Sequence, residues 1–163
     1  MRNTKYKSGF TLIEVLFAVL LIGLSIASLM AANAAFTKAN GAGTDLSTAE
    51  FIIGQIRELT MLVPVIDPQT EDATFGPETG ETLSGYDDLD DFDGETFSPP
   101  IDVDRNVLSN FDAFHQLVTV ENVSASNFEQ VVGDHSTSFV RVTVEVYLNS
   151  RKISSVGWLR SRY

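Results

Sequence analysis

The feature that most constrains this chain is an apolar run near its amino terminus, residues 9–29, GFTLIEVLFAVLLIGLSIASL. Between Phe10 and Ala32 there is no Lys, Arg, Asp or Pro, and Glu14 is the one charged residue. As a helix this stretch would be roughly 34 Å long, which is enough to cross the hydrocarbon core of a bilayer. Residues 10–35 are therefore predicted to form a transmembrane helix.

The charges that flank the apolar run predict its orientation. Arg2, Lys5 and Lys7 precede it, and the positive-inside rule places such a terminus in the cytoplasm and the remainder of the chain outside. An ordinary secretory signal is the main alternative, because residues 32–34, Ala-Asn-Ala, form an A-x-A cleavage pattern. Two features oppose it: the run exceeds the usual core of about 7–15 apolar residues, and it contains Glu14.

Residues Gly9 to Glu14 read Gly-Phe-Thr-Leu-Ile-Glu, between a short basic leader and the unbroken apolar run. This pattern resembles the type IV pilin superfamily, which comprises pilins, pseudopilins of type II secretion and their relatives. The resemblance implies a leader peptide at residues 1–9, cleavage between Gly9 and Phe10 by prepilin peptidase, and N-methylation of Phe10. No family signature is recognised after Ala32.

The same resemblance implies a location and a set of partners. The protein is expected in the bacterial inner membrane as a single-pass protein with a cytoplasmic amino terminus, and then in a periplasmic or cell-surface filament. Its expected partners are prepilin peptidase, other pilin or pseudopilin subunits in a homo- or hetero-filament, an inner-membrane assembly platform and membrane lipid.

Glu14 is the candidate assembly residue. A carboxylate near the end of a membrane span costs on the order of 3 kcal/mol or less and usually indicates a partner. Glu14 lies one helical turn after Phe10, so after cleavage its carboxylate and the new amine would lie at neighbouring depths, within one subunit or between two. A paired charge in an apolar bundle sets register, whereas an unpaired one is strongly disfavoured. The alternative is that the helix dipole favours this carboxylate.

The helix is predicted to continue beyond the membrane, as an amphipathic segment over residues 36–63. Apolar residues recur there every three or four positions and form one face: Phe36, Ala39, Ala42, Leu46, Ala49, Ile53, Ile56, Leu59 and Val63. Pro64 sets the end, because a residue that precedes proline avoids the helical region. Two helices joined near Gly41 and Gly43 are the alternative, since glycine weakens a helix interior.

Residues 64–115 are predicted to be an acidic loop region with short elements, punctuated by Pro and Gly. The stretch 63–115 contains fourteen acidic residues and one basic residue, which argues against nucleic-acid binding. The densest part, 87–95, fails the EF-hand spacing, and the loop starting at Asp102 has Val107 where that motif needs Gly. We therefore expect a solvated acidic loop without a metal, pinned by Leu89, Phe92 and Phe97; a calcium site is the alternative.

Residues 116–163 are predicted to form an antiparallel sheet. Residues 117–123, 139–147 and 152–160 are rich in β-formers, and Val140, Val142, Val144 and Val146 alternate with polar neighbours. Asn149 and Ser150 are a plausible two-residue hairpin turn. Packing this sheet on the second half of the long helix gives an α+β fold, which is also the pilin architecture that the resemblance implies.

Nothing in the sequence indicates catalysis, so we predict neither an enzyme nor a cofactor. The chain has two histidines and no cysteine. Residues 134–136, Asp-His-Ser, are consecutive, and adjacent side chains diverge instead of forming a triad. The sequence, with this resemblance, predicts a structural subunit of the minor type in a type IV pilus or secretion pseudopilus. The alternative function is a membrane-anchored or secreted domain that does not polymerise and binds calcium or a ligand through its acidic loop.

Overall fold

The computed structural model describes residues 9–67 and 75–162. The predicted leader other than Gly9, and residues 68–74 of the predicted acidic region, lie outside the described residues. One long helix and five strands make up the regular structure, with two short 3₁₀ helices at Asp90–Phe92 and Ser109–Phe111. The helix is α1 (Leu12–Leu62), and the strands are β1 (Thr96–Phe97), β2 (Phe114–Ser124), β3 (Asn127–Val131), β4 (Phe139–Leu148) and β5 (Arg151–Ser161).

The chain divides into two compact units between Gly43 and Thr44, and α1 belongs to both. Gly41 and Gly43 are both helical, so the alternative of two helices with a Gly-rich joint is wrong. The helix ends at Leu62, two residues before Pro64, as the steric effect of proline predicts. The fold prediction of one long amino-terminal helix with an antiparallel sheet is confirmed.

The second unit contains an antiparallel sheet with the strand order β1-β2-β4-β5, in which β3 also pairs with β2. The three predicted strands correspond to β2, β4 and β5. Sequence patterning missed β1, which has two residues, and β3, whose five residues are all exposed and lack an apolar alternation.

The β4–β5 hairpin turns at Asn149 and Ser150, as predicted. Both residues have a positive φ, of 47° and 69°, which is the backbone of a type I′ turn. Asparagine tolerates this conformation well, and the turn matches the twist of the flanking strands. The pairing that follows sets Val142 opposite Trp158 and Val144 opposite Val156.

The core lies between one face of the sheet and the carboxy-terminal part of α1. The buried helix face begins at Ala49 and includes Ile52, Ile56 and Leu59, whereas Phe36 and Leu46 stay exposed. The four valines that were predicted to share a face of β4 are all buried against this helix. Burying an aliphatic side chain of this size contributes about 1.5–3 kcal/mol, so this face stabilises the contact between helix and sheet.

The centre of the acidic segment, defined here as residues 75–95, is buried, and the expectation of a solvated loop is wrong there. Asp88, Asp90 and Asp91 are each at most 3% exposed. Their short side chains bond the local backbone: Asp88 Oδ1 accepts from the N–H groups of Asp90 and Asp91, at 3.0 and 3.3 Å. Such local bonds satisfy carboxylates away from water, which composition alone does not reveal.

The apolar residues within and after the acidic segment hold it on the sheet. Leu89, Phe92 and Phe97 are buried, as predicted, and Tyr86 and Ile101 join them. The Tyr86 and Phe92 rings meet edge to face, with centroids 5.2 Å apart. Arg105, the one basic residue of this region, donates to the Leu83 and Tyr86 carbonyls, at 3.0 and 2.5 Å. These contacts give the segment a defined structure.

Gln116 on β2 joins three parts of the second unit. It is completely buried, its Oε1 accepts the Ile101 N–H at 2.9 Å, and its Nε2 donates to the carbonyls of Ile101 and Ile52, at 3.2 and 3.0 Å. One side chain therefore connects α1, β2 and the chain that follows β1. The sequence analysis did not single out this residue.

Candidate functional site

The amino terminus of α1 is closed by reciprocal hydrogen bonds between Thr11 and Glu14. Glu14 Oε2 accepts from the Thr11 backbone N–H and from its hydroxyl, both at 3.1 Å, and Thr11 Oγ1 accepts the Glu14 N–H at 3.3 Å. This arrangement is a capping box, in which the residue before the helix and the third helical residue satisfy each other's donors. The Thr-x-x-Glu spacing could have predicted it, but the sequence analysis considered only the Phe10 amine and the helix dipole as partners of Glu14.

Gly9 and Phe10 lie just before this cap and are fully accessible. A Cβ atom added at Gly9 would meet nothing within 4 Å, and the Phe10 side chain is 87% exposed. Packing against the described residues therefore does not require a glycine at position 9.

The apolar residues of the first unit are exposed. Every described residue from Gly9 to Gly43 is exposed, including Leu20, Ile22 and Leu29, at 58, 59 and 72%. The polar side chains within this stretch bond the helix itself: the Ser25 and Ser28 hydroxyls donate to carbonyls four residues earlier, at 2.7 and 2.9 Å. The helix is long and apolar enough to cross a membrane, a test that an amino-terminal signal sequence also passes.

Residues 4–30 match the family model of the prokaryotic N-terminal methylation motif. The methylation motif is consistent with type IV pilins and pseudopilins, and it supports a pilin-like protein that is processed as a prepilin. It implies processing by prepilin peptidase and assembly with other pilin subunits, and it fits an anchor in the inner membrane.

The match leaves most of the chain outside the methylation motif. No curated protein and no solved structure matches the chain. The proteins that carry the motif are structural rather than enzymatic.

The acidic segment brings together three carboxylates, of which only Asp91 lies in the dense stretch 87–95 that the sequence analysis considered. Oxygen atoms of Glu78, Glu81 and Asp91 lie within 4.8 Å of one another. Burial, and then the side-chain hydrogen bond with Glu78, raises the pKa of Glu81 to about 7. Burial also raises the pKa of Asp91, whose Oδ2 accepts the N–H groups of Asp87 and Asp88, at 2.8 and 3.1 Å. Asp91 Oδ2 therefore already serves two backbone donors of the segment.

In the other candidate cation loop, which begins at Asp102, the Asp102 carboxylate also accepts hydrogen bonds from the backbone of its own loop. Asp102 Oδ1 accepts the N–H groups of Asp104 and Asn106, at 2.9 and 2.8 Å. Arg105 has a positive φ of 66°, and its guanidinium points to carbonyls of the acidic segment. These local bonds make the loop a compact turn that positions Arg105.

The pKa of Asp88 gives the second unit a predicted dependence on pH. Burial, and then its hydrogen bond and charge interaction with Asp90, raises the pKa of Asp88 to about 8. A raised pKa in the folded state contributes stability that is fully present below the ordinary value of 3.8 and is lost as the pH rises through about 8. We expect the free energy of unfolding to fall by a few kcal/mol (order of magnitude) between pH 5 and pH 9.

The free energy of unfolding at each pH is measured by denaturant titration of the full chain in detergent, followed by the fluorescence of Trp158, the one tryptophan. Asp88→Asn keeps an oxygen for the Asp90 and Asp91 N–H groups and cannot ionise. The variant should match the wild type at pH 5 and exceed it at pH 9, whereas Asp104→Asn, at an exposed position, should follow the wild type. An equal pH dependence in all three proteins would contradict the assignment to Asp88.

The two histidines lie apart from any catalytic arrangement among the described residues. His115 stacks on Tyr147, with ring centroids 4.8 Å apart and the planes 3° from parallel. In the Asp-His-Ser run, the Ser136 hydroxyl donates to the Gly133 carbonyl at 2.5 Å, and the His135 ring meets Phe75 edge to face, at 5.5 Å. Ser136 therefore has a structural partner of its own within the turn.

Proposed function

We propose that this chain is a structural, non-enzymatic subunit, of the minor type, of a type IV pilus or a type II secretion pseudopilus. The observation that carries the proposal is the methylation motif at residues 4–30, which runs directly into a helix whose described residues up to Gly43 are all exposed. Uncovered apolar surface of this extent needs lipid or other helices around it. A membrane supplies the first environment and a filament core the second.

In this proposal the amino-terminal residues act in sequence. The leader keeps the amino terminus in the cytoplasm and the second unit outside. Prepilin peptidase then cuts between Gly9 and Phe10, and Phe10 receives a methyl group on its new amine. The peptide bond between Phe10 and Thr11 is unaffected, so the Thr11 N–H and the capping box with Glu14 remain.

Glu14 has two roles in this proposal. Its Oε2 caps the helix, while its negative charge attracts the Phe10 ammonium of the same or a neighbouring subunit. Between apolar helices that attraction is strong and depends on axial position, so it favours one height of the incoming subunit. The sheet of the second unit then lies outside the helical core of the filament.

Blocking cleavage at Gly9 tests the first step. In cells that contain prepilin peptidase, Gly9→Leu should remain at full length, because a side chain obstructs the close approach of the enzyme to the backbone. Gly23→Ala, a matched change within the apolar run, should be cut like the wild type. Electrophoretic mobility of the membrane fraction, with and without the peptidase, measures both. Equal processing of Gly9→Leu and the wild type would exclude cleavage at this bond.

The competing proposal, a domain that does not polymerise and binds calcium or a ligand through the acidic segment, has one observation in its favour: the proximity of Glu78, Glu81 and Asp91. The two backbone N–H groups that Asp91 Oδ2 accepts favour the structural role of this segment. We therefore place the function in the amino-terminal helix.

A further inference from the structure

A small cavity in the second unit lies away from the amino-terminal site. Its volume is about 10 Å³. It lies where the acidic segment, the turn at residues 133–137 and the strands β2 and β4 meet, and its lining combines apolar and polar side chains, among them Phe75, Val120, Val140, Asp90 and His135.

Two buried polar atoms on residues that line this cavity have no hydrogen-bond partner in the described part of the chain: Asp90 Oδ1 and His135 Nε2. The Asp90 side chain is otherwise well held, since the residue is 3% exposed and its Oδ2 accepts the Gly76 N–H at 3.1 Å. Burying a carboxylate oxygen without a partner is costly, and buried polar groups in proteins are nearly always bonded to protein or to ordered water. Two such atoms on one cavity therefore point to a bound molecule.

The fold holds His135 in place for this contact. Its φ of 55° lies in the left-handed region, and its N–H donates to Asn122 Oδ1 at 2.8 Å. Asn122 is itself buried and donates from Nδ2 to the Thr137 and Phe139 carbonyls, at 3.1 and 3.4 Å. A strained backbone that is maintained by a buried amide fixes where the imidazole lies.

The volume of the cavity and the number of its unpartnered polar atoms indicate which kind of molecule it can hold. A water molecule needs roughly 10–15 Å³ and two or more polar partners, which this cavity provides, whereas an organic ligand needs roughly 300 Å³ or more. A tetrahedral metal needs about four ligands. Here Asn122 and Thr137 are already bonded to the backbone, and Arg162 also lines the cavity. Of the buried polar side-chain atoms on this lining, Asp90 Oδ1 and His135 Nε2 are the ones without a partner in the described part of the chain.

We infer that one buried water molecule bridges Asp90 Oδ1 and His135 Nε2. The water donates one hydrogen to the carboxylate, and its other hydrogen or its lone pair meets the imidazole, so either neutral tautomer is accommodated. The bridge fastens the turn at 133–137 to the acidic segment. This inference is independent of the proposed function, because it concerns only the second unit.

Nuclear Overhauser contacts between water and the cavity residues of the full chain in detergent micelles test the inference. Long-lived water should give cross-peaks to the Val120 and Val140 methyl groups, and these should disappear in His135→Leu. They should persist in His115→Leu, whose ring lies on Tyr147. A folded wild type without these cross-peaks would show a dry cavity and overturn the inference. Specific binding of one added zinc ion, abolished by Asp90→Ala, would overturn it equally by giving the site another occupant.

A thermal double-mutant cycle provides an independent readout. Asp90→Ala and His135→Leu should each lower the melting temperature of the second unit by roughly 3–6 °C. If one water joins the two residues, the second substitution should cost less when the first is present. Additive shifts would contradict the bridge, because side chains that act separately do not couple.

Discussion

Replacing Glu14 by glutamine is expected to lower incorporation of the chain into filaments by about 10- to 100-fold, while membrane insertion and leader cleavage remain normal. Glutamine at the third helical position still completes a capping box with Thr11, so the start of the helix is preserved. The change removes only the negative charge that attracts the Phe10 amine. Sheared filaments and membranes are separated by centrifugation, and the chain in each fraction is quantified by immunoblot.

Two further variants separate the roles of Glu14. Glu14→Ala removes both the cap and the charge, and it should assemble no better than Glu14→Gln. Glu58→Gln makes the same chemical change at an exposed position of the same helix and should assemble like the wild type. If Glu14→Gln assembled normally and only Glu14→Ala failed, the residue would be a helix cap and its role in subunit pairing would be excluded.

Replacing Gln116 by leucine is expected to lower the free energy of unfolding of the second unit by about 2–4 kcal/mol. The substitution leaves the N–H and the carbonyl of Ile101 without their amide partner in a buried position. The Ile52 carbonyl loses a bond as well, although helical bonding offers it another donor. Denaturant titration of the full chain, followed by Trp158 fluorescence, measures the loss.

Gln55→Leu is the matched control for Gln116→Leu. Gln55 is also an amide that bonds a backbone group, since its Oε1 accepts the Val103 N–H at 3.2 Å, but it is half-buried. Water can replace that bond, so we expect a loss of about 1 kcal/mol or less. If the two variants lost the same free energy of unfolding, burial would not explain the contribution of Gln116 to stability.

The sequence predicted those elements in which apolar residues recur at a regular spacing or a turn has a typical residue pair. The buried part of the helix face, the alternation along β4 and the Asn-Ser turn each depend on neighbouring residues, and each was predicted. The predicted helix face was too long, because Phe36 and Leu46 are exposed. The two additional strands depend instead on pairing with β2. A two-residue strand such as β1 contains too few residues to show alternation.

The acidic segment shows what composition cannot predict. A run of aspartates reads as a solvated loop, yet Asp88 and Asp91 are buried because each bonds backbone N–H groups within a few residues. The contact of Glu78 and Glu81 with Asp91, the environment of Asp90 and the position of His135 arise only when distant segments meet. By contrast, the amino-terminal motif is contiguous, so Gly9, Phe10 and Glu14 could be proposed as site residues directly from the sequence.

The most direct test of the account is the mass of the amino-terminal peptide of the protein isolated from its native host. If the chain is a processed subunit, filament fractions should contain a peptide that begins at Phe10 and carries one methyl group on its amine. A chain that begins near Ala35, or one that keeps Met1 to Gly9 and never sediments with a fibre, would contradict assembly through the amino-terminal helix.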